Sequence, residues 1–437
     1  MIYWAPFLHF YQPPTQSHSV LKKICKESYR PLLKVLLDNP NAKVTINICG
    51  VLTEMLDQHG GEDVIEALRQ LAKNHQVEFV DSAKFHAILP LIPKDEAIRQ
   101  IELNRETNAK YFKEFYKAKG FFPPEMCYSA GVARILNNLG YEWVLISGIA
   151  CQDTWPINFI SEVSYGHSSI IVLYRDDIVS NKISFRNLDA PAFLKELVHL
   201  SKLVKGKDAY VITAMDAETF GHHVKNWENI FLDEVFKTIS WLKLPSQGKV
   251  PISKKRSISA LCAKLFPEFK EIPSFDVVTI SEIAEKFPVK ETKNPKPSSW
   301  STTKDDISRK NYYPLWRDEN NPIHALQWEH LNISYELLEQ ALTYKKVDEE
   351  TGRFIEYARE DFDKALHSCQ FWWANKNRGT WNINLINKGL VLQEETVLNA
   401  YKAISIASNS KVIKKSCYNK VMLTRDIADK IRDLLLE

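Results

Sequence analysis

The chain has 437 residues, 45% of them hydrophobic and 25% charged, a balance typical of proteins that bury a substantial core. A net charge of +3 is nearly neutral for this length and argues against a nucleic-acid-binding surface. No stretch of the sequence approaches the ~20 apolar residues of a membrane-spanning helix. We therefore expect neither nucleic acid nor a membrane as a partner, and nothing in the sequence predicts an oligomeric state.

Seven cysteines are spread along the chain without a Cys-x-x-Cys pair, at positions 25, 49, 127, 151, 262, 369 and 417. Their odd number and wide spacing favour reduced thiols over a disulfide framework. The sequence also opens without a charged-then-apolar signal segment. These features predict a cytoplasmic protein.

Short β-rich runs alternate with helical patterns over the first 220 residues. The predicted strands are Ile2–Phe7, Lys43–Ile48, Gln76–Val80, Phe121–Phe122, Trp143–Ile146, Ile170–Tyr174 and Tyr210–Thr213. Helical patterns fill most gaps, including Ser28–Leu37, Asp63–Lys73, Asp95–Tyr116 and Ala190–Val204. This alternation predicts βα units and a mainly parallel sheet. Because no glycine-rich phosphate loop follows the first strand, we favour an incomplete seven-stranded (β/α)7 barrel over an open doubly wound sheet.

The pattern changes after residue 286. Residues 286–324 are polar, contain proline and lack periodicity, which is typical of a crossing segment. Apolar residues then recur at helical spacing in Ala325–Tyr344, Phe354–Lys376, Glu394–Ser408 and Tyr418–Leu436. We predict a barrel domain over residues 1–290, a linker over 291–324, and a C-terminal helical bundle over 325–437 that closes the cleft.

Polar residues cluster where the predicted strands end, which is the reactive face of a parallel barrel. They are His9, Tyr11, Gln12, Asn47, Glu78, Asp81, His86, Glu125, Arg175, Asp176, Asp177, Asp216 and Glu218. Charged strand ends occur in any barrel, but carboxylates, histidine and glutamine converging on one rim are typical of a carbohydrate site. Two of the carboxylates, Glu125 and Asp216, each directly follow a short apolar run. Such a pair is the minimum equipment for cleaving a glycosidic bond.

Four segments, taken in order, resemble family 57 of the glycoside hydrolases, whose members act mainly on α-glucans. The family motif His-x-His-Gln-Pro is similar to residues 9–13, and its second region resembles residues 76–78 and 85–90. Its third region, which carries the nucleophile, resembles residues 120–125. The fourth, Asp-Gly-Glu-x-Phe-Gly, resembles residues 216–221, and residues 361–373 resemble the helical segment that closes the cleft.

The resemblance implies a retaining mechanism with Glu125 as the nucleophile and Asp216 as the general acid/base. A nucleophile must stay ionised, and we expect His9 and Arg175 to favour that state of Glu125. The acid must hold a proton near neutral pH, for which Glu218 and Phe220 are suitable neighbours. The sequence departs from the family motifs at Tyr11, where the family has His, and at Ala217, where it has Gly.

Other candidates have both a structural and a functional interpretation. His222 and His223 lack further ligands at zinc-site spacing, so we expect His222 to contact sugar or cap a loop and predict no metal. Helical spacing puts Asp363, His367, Gln370 and Trp373 on one face of a single helix, which either packs on another helix or lines a glucan groove together with Trp372. Trp300, in a polar loop, is either a docking plug or a sugar platform.

The sequence therefore predicts an amylase-type retaining glycosidase of α-1,4-glucans that needs no cofactor. The predicted substrate-binding residues are His9, Tyr11, Gln12, Glu78, His86, Arg175, Asp176, Glu218, His222, Trp300, His367, Gln370, Trp372 and Trp373. A 4-α-glucanotransferase using the same residues stays open, as do an α-galactosidase and a catalytically weak glucan-binding relative. A weaker alternative is a polysaccharide deacetylase-like barrel, which would require a His/Asp metal triad.

Overall fold

The computed structural model describes residues 1–151, 153–243 and 273–436. The cysteine at position 262 and part of the predicted barrel domain lie outside the described residues. Internal contacts divide the chain into two units. Unit 1 comprises Met1–Gln12, Gln16–Lys84 and Pro93–Trp300, and unit 2 comprises Pro13–Thr15, Phe85–Ile92 and Ser301–Glu437. The three-domain boundaries expected from the sequence stay a prediction.

The described strands of unit 1 are β1 (Ile2–Phe10), β2 (Val44–Ile48), β3 (Val77–Val80), β4 (Gly120–Phe121), β5 (Trp143–Ser147), β6 (Ile160–Tyr165), β7 (Ser168–Arg175), β8 (Ala209–Asp216), β9 (Phe275–Val277) and β10 (Val289–Thr292). Its described helices are α1 (His18–Ile24), α2 (Arg30–Asp38), α3 (Gly50–Gln58), α4 (Glu62–Lys73), α5 (Lys94–Phe112), α6 (Ala130–Asn138), α7 (Asp177–Ser184), α8 (Ala190–Leu203), α9 (Glu234–Lys243) and α10 (Ile280–Lys286).

Seven of the described strands close into a distorted (β/α)7 barrel. β8, β1, β2 and β3 pair in parallel in that order, and β4, β5 and β7 form a second parallel series. A parallel bridge between Asp81 and Phe121 joins β3 to β4. The N–H of Asp176 donates to the carbonyl of Ile212 at 2.8 Å, which joins β7 to β8. The predicted seven-stranded barrel is confirmed, and its strands are the seven that the sequence indicated.

Three further strands lie outside the ring and were not predicted. β6 pairs antiparallel with β7, and β10 extends that edge by pairing with β6. β9 lies beside the first residues of β1. These strands extend the pairing of β7 and β1 outside the parallel ring.

The interior of the barrel is filled by side chains at alternate strand positions. Ala5 and Phe7 of β1, Leu173 of β7, and Ile212 and Ala214 of β8 belong to one buried core cluster. Because side chains alternate between the two faces of a strand, the next inward position on each strand falls at its carboxyl end. The local sequence thus decides which polar residues reach the mouth of the barrel.

Helix starts in unit 1 follow ordinary capping chemistry. The side chains of Ser129 and Asp189 accept backbone N–H bonds at the starts of α6 and α8. Thr279 and Glu282 form a capping box at the start of α10. Such caps replace hydrogen bonds that the first turn of a helix lacks.

Unit 2 is mainly helical in the part described. Its helices are α11 (Lys304–Ser308), α12 (Pro322–Leu342), α13 (Glu349–Ala365), α14 (Cys369–Trp372), α15 (Ile383–Ala407) and α16 (Lys411–Leu436), with a small hairpin of β11 (Ala374–Asn375) and β12 (Thr380–Trp381). α15 packs against α12 and α13, and α16 packs against α12 and α15. The predicted C-terminal helical region is confirmed.

The prediction of one continuous helix over Phe354–Lys376 is wrong. α13 ends at Ala365, and His367 instead forms an antiparallel bridge with Ala87. The N–H of Ser368 donates to the carbonyl of His86 at 3.3 Å. These backbone hydrogen bonds to a distant segment replace those that would have continued the helix.

Two expectations about the whole chain can be compared with the described residues. None of the described helices is both long enough and apolar enough to cross a membrane. No disulfide links the six cysteines that the structure describes, and all six are buried.

Candidate active site

The inward strand positions at the barrel mouth carry polar side chains. His9 of β1 lies in register with Asn47 of β2 on one side and with Asp216 of β8 on the other. Arg175 is the last residue of β7 and follows inward-facing Leu173 by two positions. Four neighbouring strands therefore deliver a histidine, an amide, a carboxylate and a guanidinium to one rim, as the sequence predicted for strand ends.

Glu125 lies in a short 3-10 turn, Pro124–Met126, just after β4. Its φ of 58° and the φ of 52° at Met126 put two consecutive non-glycine residues in the left-handed region. Such backbone is costly and persists where the surroundings enforce it, often at functional sites. The Glu125 side chain is buried, and its Oε2 accepts a hydrogen bond of 2.8 Å from the Trp300 indole N–H.

Burial raises the pKa values of the two central carboxyls. Burial, together with the charge of Asp216, raises the pKa of Glu125 to about 8, and the Trp300 hydrogen bond opposes that rise. Burial raises the pKa of Asp216 to about 6, and the Arg175 guanidinium partly offsets it. Since burial disfavours the charged form of both carboxyls and the charge of Asp216 further disfavours ionisation of Glu125, the pair holds one proton between these two pKa values.

Glu218, two residues beyond Asp216, is a third buried carboxyl of the cluster. Burial and the charge of Asp216 raise its pKa to about 8. Its Oε1 accepts a 2.7 Å hydrogen bond from the Gln12 amide and a short one from the Tyr29 hydroxyl. Gln12 in turn accepts a hydrogen bond of 2.9 Å from Gln16. Gln12 and Glu218, both predicted site residues, are therefore brought together.

His9 does not supply the positive charge that was expected of it. Its Nδ1 lies 2.7 Å from the Asn47 Oδ1, so that Nδ1 carries the proton and donates it to the amide oxygen. Burial lowers the pKa of His9 to about 4, which leaves the ring neutral at pH 7. Its ring lies 6.0 Å from that of Tyr11 and 4.8 Å from that of Phe122.

Arg175 acts on Asp216, not on Glu125 as expected, and it is held rigidly. Its guanidinium donates to the Ala214 carbonyl at 2.8 Å, to Asp177 at 2.9 Å and to Asn181 at 2.8 Å. It also lies 5.8 Å from the Trp300 ring centroid. A buried, fully engaged cation is suited to tuning a neighbouring carboxyl.

The comparisons with known proteins bear on this constellation of buried carboxyls at a barrel mouth. Residues 6–295 match the model of Glycosyl hydrolase family 57. The chain belongs to this family. The match runs through Glu125, Asp216 and the barrel strands that deliver the mouth residues, so the family assignment applies to the part of unit 1 that carries the candidate site.

Two relatives illustrate the range of names among similar proteins. An "Alpha-amylase" of Pyrococcus abyssi is 28% identical over 298 residues, which are 60% of this chain and 43% of the relative. A "4-alpha-glucanotransferase" of Thermococcus kodakarensis is 27% identical over 298 residues, 60% of this chain and 44% of the relative. The matches thus span less than half the length of either relative.

Solved structures support the fold. A 4-alpha-glucanotransferase from Thermococcus litoralis superposes with a TM-score of 0.64 at 18% identity, covering 94% of this chain and 60% of that one. A family 57 branching enzyme from Pyrococcus horikoshii gives a TM-score of 0.67 at 14% identity, covering 98% of this chain and 95% of that one. At such identities the likeness shows the fold alone.

Three predicted site residues of unit 1 have other roles in the structure. Glu78 lies near the start of β3, and accepts hydrogen bonds from Thr45 Oγ1 at 3.0 Å and from the Ser281 N–H at 3.2 Å. The expectation that Glu78 lies at the carboxyl end of its strand is wrong, because β3 continues for two more residues and ends at Val80. Asp176 caps α7 by accepting the Val179 N–H at 2.9 Å.

His222 is the third of these residues. Its Nδ1 lies 2.7 Å from a Glu27 carboxylate oxygen, which Lys225 also approaches at 2.8 Å. Lys225 and His222 together lower the pKa of Glu27 to about 2. His222 thus forms part of an ion cluster with Glu27, which agrees with the interpretation that His222 caps a loop.

The remaining predicted residues belong to unit 2. His86 Nδ1 lies 2.9 Å from the Ser368 hydroxyl, and His367 is fully buried, with burial lowering its pKa to about 3. Gln370 is buried, while Trp372 and Trp373 are half-buried, with ring centroids 5.2 Å apart. The expectation of one helix face for His367 and Gln370 is wrong, because His367 lies in the bridge between α13 and α14.

Sequence reasoning missed Tyr29, and it named Asn47 as a strand-end residue without predicting its hydrogen bond to His9. Tyr29 bonds Glu218 from a turn far away in the chain, and no local pattern marks it. Asn47 ends an apolar strand run beside His9. Its place at the predicted carboxyl end of β2 was a usable signal for a partner of the histidine.

Proposed function

We propose that this chain is a retaining glycosidase of α-1,4-glucans, with Glu125 as the nucleophile and Asp216 as the general acid/base. The observation that carries the proposal is the pair of buried carboxyls at one barrel mouth, where the charge of Asp216 raises the pKa of Glu125. Membership of family 57 and the names of the relatives support the substrate class.

In the proposed reaction, Glu125 attacks the anomeric carbon while Asp216 protonates the glycosidic oxygen of the leaving chain. Asp216 then takes a proton from water as that water releases the sugar from Glu125. Retention requires carboxyl groups about 5–5.5 Å apart. Trp300 supports the nucleophile by donating to one of its oxygens, which stabilises the ionised form.

The proton count of the pair suits this reaction, because between pH 6 and 8 it holds one proton in total. In the empty site that proton belongs to Glu125 in preference to Asp216, the opposite of the catalytic distribution. Positive charge developing on the sugar carbon beside Glu125 favours its ionised form. We therefore expect substrate to move the proton to Asp216.

The first test is the incubation of the protein and its Glu125→Gln variant with maltoheptaose, with products resolved by length. Shorter chains with new reducing ends support the hydrolase, and we expect Glu125→Gln to lower kcat by about 10³-fold or more. Glu142→Gln is the matched control, since the Glu142 side chain is 56% exposed. Full activity of Glu125→Gln would overturn the assignment.

Azide separates the two carboxyl roles. In Glu125→Ala, azide fills the place of the nucleophile and attacks the anomeric carbon directly, so the glycosyl azide has inverted configuration. In Asp216→Ala, azide instead attacks the glycosyl-enzyme on Glu125, so the configuration is retained overall. Swapped outcomes would exchange the roles of Glu125 and Asp216.

The second candidate is a 4-α-glucanotransferase with the same residues. The relatives from Thermococcus carry that name, and the chemistry differs only in whether water or a sugar hydroxyl attacks the glycosyl-enzyme. Chains longer than maltoheptaose in the product ladder would identify transfer. Binding of the oligosaccharide without turnover, unchanged in Glu125→Gln, would identify a glucan-binding protein instead. Loss of turnover in chelator would favour a metal-dependent barrel.

A further inference from the structure

One of the two π-helical segments among the described residues, Cys25–Tyr29, interrupts the helix formed by α1 and α2. We call this segment the π turn. Pro31 explains its position, because proline has no N–H to donate and its ring clashes with the carbonyl four residues earlier, which belongs to Glu27. The π turn widens the helix at that carbonyl. Such turns are rare and often occur at functional sites.

The Glu27 carbonyl is used in a close contact with the loop that follows the catalytic strand β8. A Cβ atom at Gly221 would lie 1.9 Å from the Glu27 carbonyl oxygen. Gly221 also has a φ of 98°, a conformation that favours glycine. The loop therefore approaches the π turn at a distance that only glycine permits.

Side chains of the π turn hold the residues directly after Asp216. Ser28 Oγ donates to the Ala217 carbonyl at 2.9 Å, and the Tyr29 hydroxyl donates to the Glu218 carboxylate. The Glu27 carboxylate anchors the same loop farther along, through His222 and Lys225. Three consecutive residues of the π turn thus bind the segment 217–225.

We propose that the π turn is the element that positions the Asp216 acid/base, with Tyr29 as a positioning residue that fixes the Glu218 carboxylate beside it. The inference rests on the proposed function of Asp216. Ala217 joins Asp216 to Glu218, and both Ala217 and Glu218 are held by the π turn. The direction of the Asp216 carboxyl is therefore set from a distant part of the chain.

Tyr29 also controls the charge beside Asp216. Tyr29 and Gln12 both donate to the same oxygen of Glu218, and these hydrogen bonds favour its ionised form against the effects of burial and of Asp216. Without the Tyr29 hydroxyl, Gln12 is the one of these two donors that still bonds the Glu218 carboxylate. Glu218 then ionises at higher pH, and its orientation is less strictly defined.

The test compares Tyr29→Phe with the parent chain at full length. We expect kcat on maltoheptaose to fall about tenfold or more and KM to change less, because the acid is misplaced while the predicted substrate contacts other than Glu218 remain. Ser28→Ala, which removes the bond to Ala217, should act in the same direction. Tyr174→Phe is the matched control, since the buried Tyr174 hydroxyl has no hydrogen-bond partner among the described residues.

A second readout is independent of turnover. Infrared titration follows the C=O band of protonated Glu218, identified by its loss in Glu218→Gln. We expect the titration midpoint to move up by about one to two pH units in Tyr29→Phe and to stay unchanged in Tyr174→Phe. An unchanged midpoint, or a parental kcat in Tyr29→Phe, overturns the positioning role. If the parent itself leaves glucans intact, the proposed function fails, and the midpoint still decides whether Tyr29 controls Glu218.

Discussion

Trp300 is bonded twice to Glu125, through its indole N–H at 2.8 Å and through its backbone N–H to the Glu125 carbonyl at 3.1 Å. The indole bond favours the ionised carboxylate. In Trp300→Phe we expect kcat/KM to fall about 10–100-fold, the worth of a hydrogen bond to a charged group. The pKa of Glu125 rises without that donor, so the alkaline limb of the pH–activity profile should move above about 8.

The control for this prediction is Trp143→Phe. Trp143 is also buried and its indole N–H donates to Ser281 Oγ at 2.9 Å, so the variant loses a comparable bond at the start of β5, away from Glu125. A pH–activity profile measured for both variants separates an effect on the pKa of Glu125 from the general effect of losing a buried indole hydrogen bond. Identical alkaline limbs in Trp300→Phe and the parent would show that Trp300 does not lower the pKa of Glu125.

Residues at the strand ends could be predicted from the sequence because one local rule places them. Asp216 follows the inward positions Ile212 and Ala214 by the period of two that governs any strand. Electrostatic roles could not be predicted, because they depend on burial. His9 was expected to be a cation, yet burial leaves it neutral. Tyr29 reaches Glu218 across 189 positions of sequence, a contact that only the tertiary fold creates.

At the scale of elements, Gly389 lets α15 approach α14 closely in unit 2. A Cβ there would lie 2.4 Å from Cβ of Gln370. The Gln370 side chain cannot easily move aside, because its amide donates to the Ala365 carbonyl and accepts a hydrogen bond from Gln393 at 2.7 Å. We expect Gly389→Ala to lower the free energy of unfolding by about 1–3 kcal/mol through overpacking, measured by urea unfolding.

Gly352 provides the matched substitution on α13. An added Cβ at Gly352 would meet nothing within 4 Å. Gly352→Ala should therefore raise the free energy of unfolding by about 0.5–1 kcal/mol, since alanine favours a helix interior over glycine. Opposite signs for the two variants are expected. A stabilising Gly389→Ala would mean that α14 moves aside at little cost.

Regular elements were predictable where local pattern and tertiary environment agree. The seven barrel strands are buried apolar runs bounded by turns, so their positions were apparent from the sequence. The helix expected over Phe354–Lys376 fails at Leu366, where pairing with residues 86 and 87 satisfies the backbone instead. The helix expected to begin at Ser28 begins instead at His18, and the π turn that precedes Pro31 lies against Gly221.

At the scale of the whole molecule, each of the two units buries ionisable groups whose pKa values burial shifts. In unit 1, burial raises the pKa values of Glu125 and Glu218 to about 8 and that of Asp216 to about 6. In unit 2, burial lowers the pKa values of His324 and His330 to about 4 and that of His367 to about 3. The fold thus gives each unit its own dependence on pH.

The signs follow from which state binds protons more tightly. A carboxyl with a raised pKa keeps its proton in the folded chain, so its contribution is full below its unfolded pKa of about 4.5 and is lost as pH rises through 8. A histidine with a lowered pKa contributes fully above its unfolded pKa of 6.5, and the contribution is lost as pH falls toward 4. Each such group changes stability by about 1.4 kcal/mol per pH unit within its window.

We therefore expect opposite responses from the two units in hydrogen exchange, after correction for the intrinsic pH dependence of the exchange rate. Peptides of unit 2 should gain protection from pH 5 to 6.5, while peptides of unit 1 should lose protection from pH 6.5 to 8. His9 does not affect the second window, because its contribution to the stability of unit 1 no longer changes with pH above 6.5. The double variant Glu125→Gln, Glu218→Gln should reduce the loss in unit 1 and leave unit 2 unchanged. If protection in unit 1 is constant or rises up to pH 8, these carboxyls are ionised at little cost in the folded chain, and the shared proton assigned to the active site is not there.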